Sequence, residues 1–261
     1  ENKYMIVCNA SRQLVDFEWI KNHLPKGVSI ANISDETSKI DLQGPLSFDV
    51  LKSSLGIDAT HLKYFEIEFY KFKNHDITIS RTGYTGELGV EIYCSNKAVV
   101  EIWEKLLTNA DVLPIGLGAR DTLRLEVGLA LYGHELNEGI TPFEAKLDRF
   151  VSLDTEFTGK AAVIAAKNAP KKVLVALELD SKRAAREGSK ILNQQGQEIG
   201  HVSSGSFGPS VGKAIALAYV SPEYEKLGFQ LTIDIGRAQL GAIVVDLPFY
   251  KEGSARRKLQ S

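Results

Sequence analysis

The sequence predicts an α+β protein that ends in a small all-β, barrel-like domain. Three observations carry this reading. Up to about residue 168, stretches with strand periodicity alternate with stretches of helical spacing. Beyond Ala169-Pro170-Lys171-Lys172, only short β-rich segments remain, separated by turn residues at fairly regular intervals. The chain has 261 residues, 44% hydrophobic and 25% charged, which is the composition of a globular protein with room for two domains. The division is expected near 168–172, separating residues 1–168 from 169–261.

The elements follow in order. Tyr4 to Asn9 is apolar and strand-like. Phe17, Ile20 and Leu24 recur at helical spacing over Asp16 to Leu24, and Pro25-Lys26-Gly27 ends that run. Ile30 to Ile33 is short and β-leaning. Ser38 to Leu42 alternates and stops at the turn signal Gly44-Pro45. Ser47 to Leu55 reads as a short helix. Tyr64 to Phe72 and Asp76 to Ser80 read as two strands joined by Lys73-Asn74-His75, and Gly89 to Cys94 as another. Val99, Val100, Trp103, Leu106 and Leu107 line one helical face of Ala98 to Leu107. A further helix is expected over Gly118 to Ala130. The late strands are Val173 to Leu179, Ile191 to Leu192, Glu198 to Ser203, Ala214 to Val220, Leu231 to Ile235 and Gln239 to Val245.

Composition also excludes. A net charge of -2 argues against a general nucleic-acid binder. No apolar run is long enough to cross a bilayer, and Glu1-Asn2-Lys3-Tyr4 does not read as a signal peptide. Cys8 and Cys94 form no disulfide framework and no zinc spacing; Cys8, inside an apolar strand, is expected to be buried. The five histidines form no HExxH or His-x-His pair, so metal catalysis is not expected. The first residue is glutamate and the first strand starts almost at once, which suggests a cut or processed chain.

Three constellations have chemistry in them. Arg81 to Glu91 holds glycines at 83, 86 and 89 between two strands, a tight loop that lets backbone approach a ligand closely. Tyr84 offers a flat ring and a hydroxyl there. Glu91 alternates with Val90 and Ile92, so it faces away from them, and its carboxylate can accept two parallel N–H bonds from a guanidine-like ring edge. The alternative is a glycine-rich hairpin with a surface glutamate. Gly118 to Glu126 places Arg120 and Arg124 four apart on one helical face. An arginine fork suits a carboxylate ligand, but an internal ion-pair network uses the same residues. Asn9, after the first strand, offers one donor and one acceptor group, for a polar ring or for capping a turn. The basic tail Arg256-Arg257-Lys258 is either a ligand contact or a solvated terminus.

These segments, taken together, carry a resemblance. Asn9-Ala10-Ser11, Leu42-Gln43-Gly44-Pro45, Arg81-Thr82-Gly83-Tyr84-Thr85-Gly86-Glu87, Gly118 to Glu126 and Leu131-Tyr132-Gly133 occur in this order. Thr141-Pro142, Phe157-Thr158-Gly159, Ser203-Ser204-Gly205, Pro209-Ser210 and Pro248-Phe249-Tyr250 follow. The whole chain resembles the aminomethyltransferases, the T-proteins of the glycine cleavage system. The resemblance implies a multi-lobed, cloverleaf folate-binding fold, with two intertwined lobes in residues 1–168. It implies tetrahydrofolate as cofactor and lipoylated H-protein as partner, with an aminomethyl carbon passed to tetrahydrofolate and ammonia released. No nucleic acid and no membrane enter this reading. The setting would be the cytoplasm in a bacterium or the mitochondrial matrix in a eukaryote.

By the same resemblance, Glu91 bonds the pterin, Arg120 holds the folate tail, and Asn9 and Tyr84 lie beside the ring. Arg256 would approach the ligand from the C-terminal segment, with Arg257 and Lys251 as alternatives. The family's catalytic aspartate lies upstream of the Asn-Ala motif, outside residues 1–261, and Asp16 lies downstream of it. No catalytic residue is therefore assigned. Residues 1–261 alone are expected to lack turnover and to expose apolar surface. Two other readings share the fold: methyl transfer from a sulfonium compound to tetrahydrofolate, and a folate-binding assembly factor. Asp154 to Lys160 lacks the cysteine signature of the iron–sulfur-assembly relatives.

Overall fold

The computed structural model describes residues 3–259. They form two compact units. One comprises residues 3–83, 87–114 and 254–259; the other comprises 84–86 and 115–253.

The first unit is built on a four-stranded antiparallel sheet of β1 (Thr37–Gln43), β2 (Ile67–Phe72), β3 (His75–Ser80) and β4 (Gly89–Ser95), in the order β1-β4-β3-β2. Successive side chains of a strand point to opposite faces. One face carries Ile40, Leu42, Ile77, Ile79, Val90 and Ile92, all buried in one core with α2 (Ser47–Leu55) and α3 (Asn96–Leu107). Gly56 ends α2 in a left-handed conformation with φ 72°, and Ser95 caps α3 by accepting a bond from the Ala98 N–H. The opposite face is polar. Lys39, Asp41 and Gln43 of β1 share it with Glu91 and Tyr93 of β4 and with Thr78 and Ser80 of β3, by parity and register.

The second unit centres on a closed six-stranded barrel. Its strands are β5 (Val173–Leu179), β6 (Lys190–Leu192), β7 (Glu198–Gly208), β8 (Lys213–Val220), β9 (Gln230–Asp234) and β10 (Gln239–Val245), in the order β10-β5-β8-β7-β6-β9. Val175, Leu177, Val202, Ala218 and Ile233 fill the interior. On the outside, Leu174, Ala176, Ile215, Leu217 and Tyr219 pack with Leu125 of α4 (Leu117–Glu126) and with Phe249. Strands β5 and β8 are thus buried on both faces, which is why they read as nearly unbroken apolar runs.

Several expectations are corrected. Residues 4–9 form no strand. Among the described residues they have no ladder to join, and an isolated extended segment cannot satisfy its backbone. Tyr4, Ile6, Val7 and Cys8 are exposed, so Cys8 is not a core residue. The first helix, α1, spans Gln13–Asn22, three residues earlier than its apolar spacing suggests. Ile30 to Ile33 is not a strand either. Phe65 takes φ 72°, which breaks the extended run, so β2 starts only at Ile67. Helix α4 stops at Glu126 rather than Ala130, because Gly128 turns left-handed and the N–H groups of Gly128 and Leu129 close on Leu125 and Arg124. Strand β7 runs on to Gly208. Helix α5 (Lys160–Asn168) was not expected; its run of alanines has high helix propensity but a weak apolar stripe.

Candidate functional site

The glycine-rich loop is shaped by its own protein. The Gln43 side chain runs along it and donates to the carbonyls of Thr82 and Val90, both at 3.2 Å. A methyl group at Gly83 would lie 2.0 Å from Gln43 Oε1, and one at Gly89 would lie 2.5 Å from Gln43 Cδ. Close approach is required here, but by Gln43. Gly86 has φ 77°, and a methyl group there would lie 2.2 Å from Val127 Cγ1. Gly86→Ala is expected to destabilise the chain by about 1–3 kcal/mol, from the left-handed backbone and overpacking together. A denaturant melt checks this; an unchanged midpoint contradicts it.

Glu91 stands on the polar face of the first unit's sheet, and neighbouring side chains surround it. Lys39 donates to Oε1 at 2.8 Å. Thr82 and Tyr93 donate to Oε2 at 2.8 and 2.6 Å. Burial by itself would push the Glu91 carboxyl up; the bonds from Lys39, Tyr93 and Thr82 outweigh it and hold the group below its usual value. Glu91 is therefore an ionised, half-buried acceptor and not a loose surface carboxylate. Asp41 lies directly across from it in the β1–β4 register, and Lys39 reaches Asp41 Oδ1 at 3.0 Å. Lys39, Asp41, Thr82 and Tyr93 were not singled out from sequence. Period-two alternation assigns them a parity, but only the register brings them to Glu91.

In the second unit, the Arg120 guanidinium lies 4.9 Å from the centroid of the Tyr84 ring. The Tyr84 hydroxyl donates to the Ala130 carbonyl at 2.6 Å. Burial pushes that hydroxyl's pKa up to about 12, so it remains a donor at neutral pH. The Arg120 fork is thus seated on an aromatic face fixed at its far end. A planar guanidinium held this way is suited to a carboxylate.

Arg124, four residues further on, does something else. It is 1% exposed and its partner Glu135 is 0% exposed. Its guanidinium donates to Asp121, to Glu135 Oε2 at 2.9 Å, to the Leu129 carbonyl and to Ser204 Oγ. Glu135 also accepts from the Leu131 N–H and from the Ser203 hydroxyl. Glu126, equally buried, accepts from the N–H and the hydroxyl of Ser210, both at 2.7 Å. The Ser203-Ser204 and Pro209-Ser210 segments therefore satisfy the buried charges of α4 and the turn that follows it. Arg124 thus belongs to a buried ion-pair network, and the Arg120 guanidinium lies over Tyr84.

The other two expected residues, Asn9 and Arg256, belong to the first unit. Asn9 precedes the short 3-10 turn Ala10–Arg12; its carbonyl accepts from the Arg12 N–H, and its side chain makes no cap. Arg256 is exposed, 5.9 Å from the centroid of Tyr64 in the same unit. Arg81 ties that unit's C-terminal segment down, donating to the carbonyls of Leu62 and Arg257. Among the described residues there is no cluster of His, Cys, Asp or Glu that could hold a metal, and no helix long and apolar enough to cross a membrane.

Comparison with known proteins gives one result throughout. Residues 1–155 match the model of the GCVT N-terminal domain, and residues 172–251 match that of the glycine cleavage T-protein C-terminal barrel domain. An aminomethyltransferase of Thermotoga neapolitana is 39% identical over 98% of this chain and 71% of its own length. One of Natranaerobius thermophilus is 40% identical over 97% of this chain and 71% of its own length. The crystal structure of the glycine cleavage system aminomethyltransferase T from Bartonella henselae superposes with a TM-score of 0.85 at 30% identity, covering 94% of this chain and 68% of that one.

Proposed function

The chain belongs to the glycine cleavage T-protein family, and from that premise we propose that it transfers an aminomethyl carbon from the lipoyl arm of H-protein to tetrahydrofolate, with release of ammonia. The observation that carries the ligand part of this reading is the ionised Glu91 carboxylate, held half-buried on a sheet face by three donors. Such an acceptor suits the N–H edge of a pterin.

Tetrahydrofolate supplies the nitrogen that receives the carbon. The protein's part is to hold it. Glu91 would bind the pterin edge, and Tyr84 would present Arg120 to the carboxylate tail. Asn9 and Arg256 are retained as further folate contacts on the strength of the family pattern alone. Immobilising the acceptor nitrogen beside the carbon donor lowers the entropic part of the barrier to such a transfer. No residue of this chain is assigned the proton-transfer role. The bacterial sources of the similar proteins support a cytoplasmic setting.

Ammonia release from aminomethylated H-protein, assayed with the full-length polypeptide and tetrahydrofolate, tests the reading. Ammonia above background is expected. None, together with methyl transfer from a sulfonium donor, would replace aminomethyl transfer with demethylation.

Arg120→Lys separates ligand binding from stability. Lysine keeps the charge but loses the planar fork that lies over Tyr84. Folate affinity is expected to fall by about 1 kcal/mol, the scale of one charge-assisted hydrogen bond. The melting temperature should hold. A lower melting temperature with unchanged affinity would make Arg120 a structural residue.

A further inference from the structure

The three donors around Glu91 do not divide its oxygens evenly. Oε2 takes the hydroxyls of both Tyr93 and Thr82, while Oε1 takes Lys39. Each carboxylate oxygen offers about two acceptor positions. Oε2 is therefore full, and Oε1 retains one position beside Lys39. With Oε2 full, both N–H groups of a ring edge must converge on Oε1, which has two positions only without Lys39. For such a ligand, one of the three side chains must give way.

They are not equally able to move. Tyr93 is buried and sits two residues from Glu91 on β4. Thr82 has a short side chain whose hydroxyl also lies 3.0 Å from Ser80 Oγ. Lys39 reaches in from β1 on a four-carbon stem and is 32% exposed. It alone of the three has a second carboxylate within reach, Asp41 at 3.0 Å, opposite Glu91 in the register. The ammonium already lies between the two carboxylates, so shifting it wholly to Asp41 takes rotation about side-chain bonds and leaves the sheet unchanged.

We infer that Lys39 holds Oε1 of Glu91 before the ligand binds, and that it gives up that oxygen and stays with Asp41 when the two-donor edge of the ligand arrives. Asp41 is then a positioning residue that acts through Lys39, and the pair sets how readily Glu91 is released for binding. This inference rests on the folate reading of Glu91.

Calorimetry with tetrahydrofolate on the full-length polypeptide tests it. Asp41→Asn removes the charge to which Lys39 would move, so the ammonium stays on Glu91. Affinity should fall by roughly tenfold, the scale of one charge-assisted hydrogen bond. Adding Lys39→Met removes the competitor and should return affinity to at least the wild-type value. A merely structural role for Asp41 would show no such rescue. Wild-type affinity in Asp41→Asn, or further weakening in the double variant, overturns the inference. Asp41→Ser replaces Asp41→Asn if the latter melts well below the wild type. Failure of the underlying reading looks different. Either the wild type then binds no folate, or Glu91→Gln binds it as tightly as the wild type, and in both cases the inference falls with the reading.

Discussion

Arg124→Met is expected to destabilise the protein by about 3–5 kcal/mol, the scale for breaking a buried ion pair by removing one partner. The cost comes less from the lost attraction than from what is left behind. Glu135 is fully buried and would keep only the Leu131 N–H and the Ser203 hydroxyl to balance its charge. The Leu129 carbonyl and Ser204 Oγ would each lose a donor as well. Denaturant unfolding of the variant and of Arg124→Met/Glu135→Leu measures the effect. The double variant removes the stranded charge and should recover part of the loss, which appears as a favourable coupling in the cycle. Full additivity of the two changes would mean that the pair does not act as one unit. The loss should reach the ligand side too. Leu129 and Leu131 flank Ala130, whose carbonyl anchors the Tyr84 hydroxyl beneath Arg120.

Glu91→Gln is expected to weaken tetrahydrofolate binding by about 2–4 kcal/mol, since it disrupts a charge-assisted, partly buried hydrogen bond. The substitution keeps the shape but places an amide N–H₂ where an oxygen now accepts. That group would face either the Lys39 ammonium or the two hydroxyls of Thr82 and Tyr93. Calorimetry decides, and unchanged affinity in a protein that binds folate would remove Glu91 from the ligand site. A stability signature accompanies it. The folded carboxyl is held below its ordinary value, so its contribution is fully present above that value and is lost as pH falls through the folded one. Glu91→Gln has no such group to protonate, so its stability should decline less steeply on the acid side. An identical acid limb in the two proteins would mean that the carboxylate does not carry that contribution.

Much of this protein was legible in its residues taken in order. Strands β5 and β10 run from the first to the last residue of the expected segments, and α2 spans the whole of Ser47–Leu55. Each is a segment whose local pattern and final burial agree. The apolar stripe of α3 and the closing turn of α2 at Gly56 are local facts of the same kind. The motifs that mark the family are local as well, which is why the family itself could be read from sequence.

The expected first strand failed for a reason that lies outside its own residues. Tyr4 to Asn9 has the composition of a strand, but a strand exists only when a neighbour completes its hydrogen bonds, and residue order does not reveal that neighbour. The same dependence governs the site. Arg120 and Arg124 are alike in type and share a helical face, yet Arg124 is drawn into a buried network by Glu135 and Ser204 while Arg120 stacks on Tyr84. The glycines at 83 and 89 read as room for a ligand and are room for Gln43. Sequence by itself determined the class of fold, the barrel strands, the family and the residue types available for binding. Only the tertiary structure decided which of those residues meet, because β-sheet register and packing join positions far apart in the chain, and no local pattern encodes that distance.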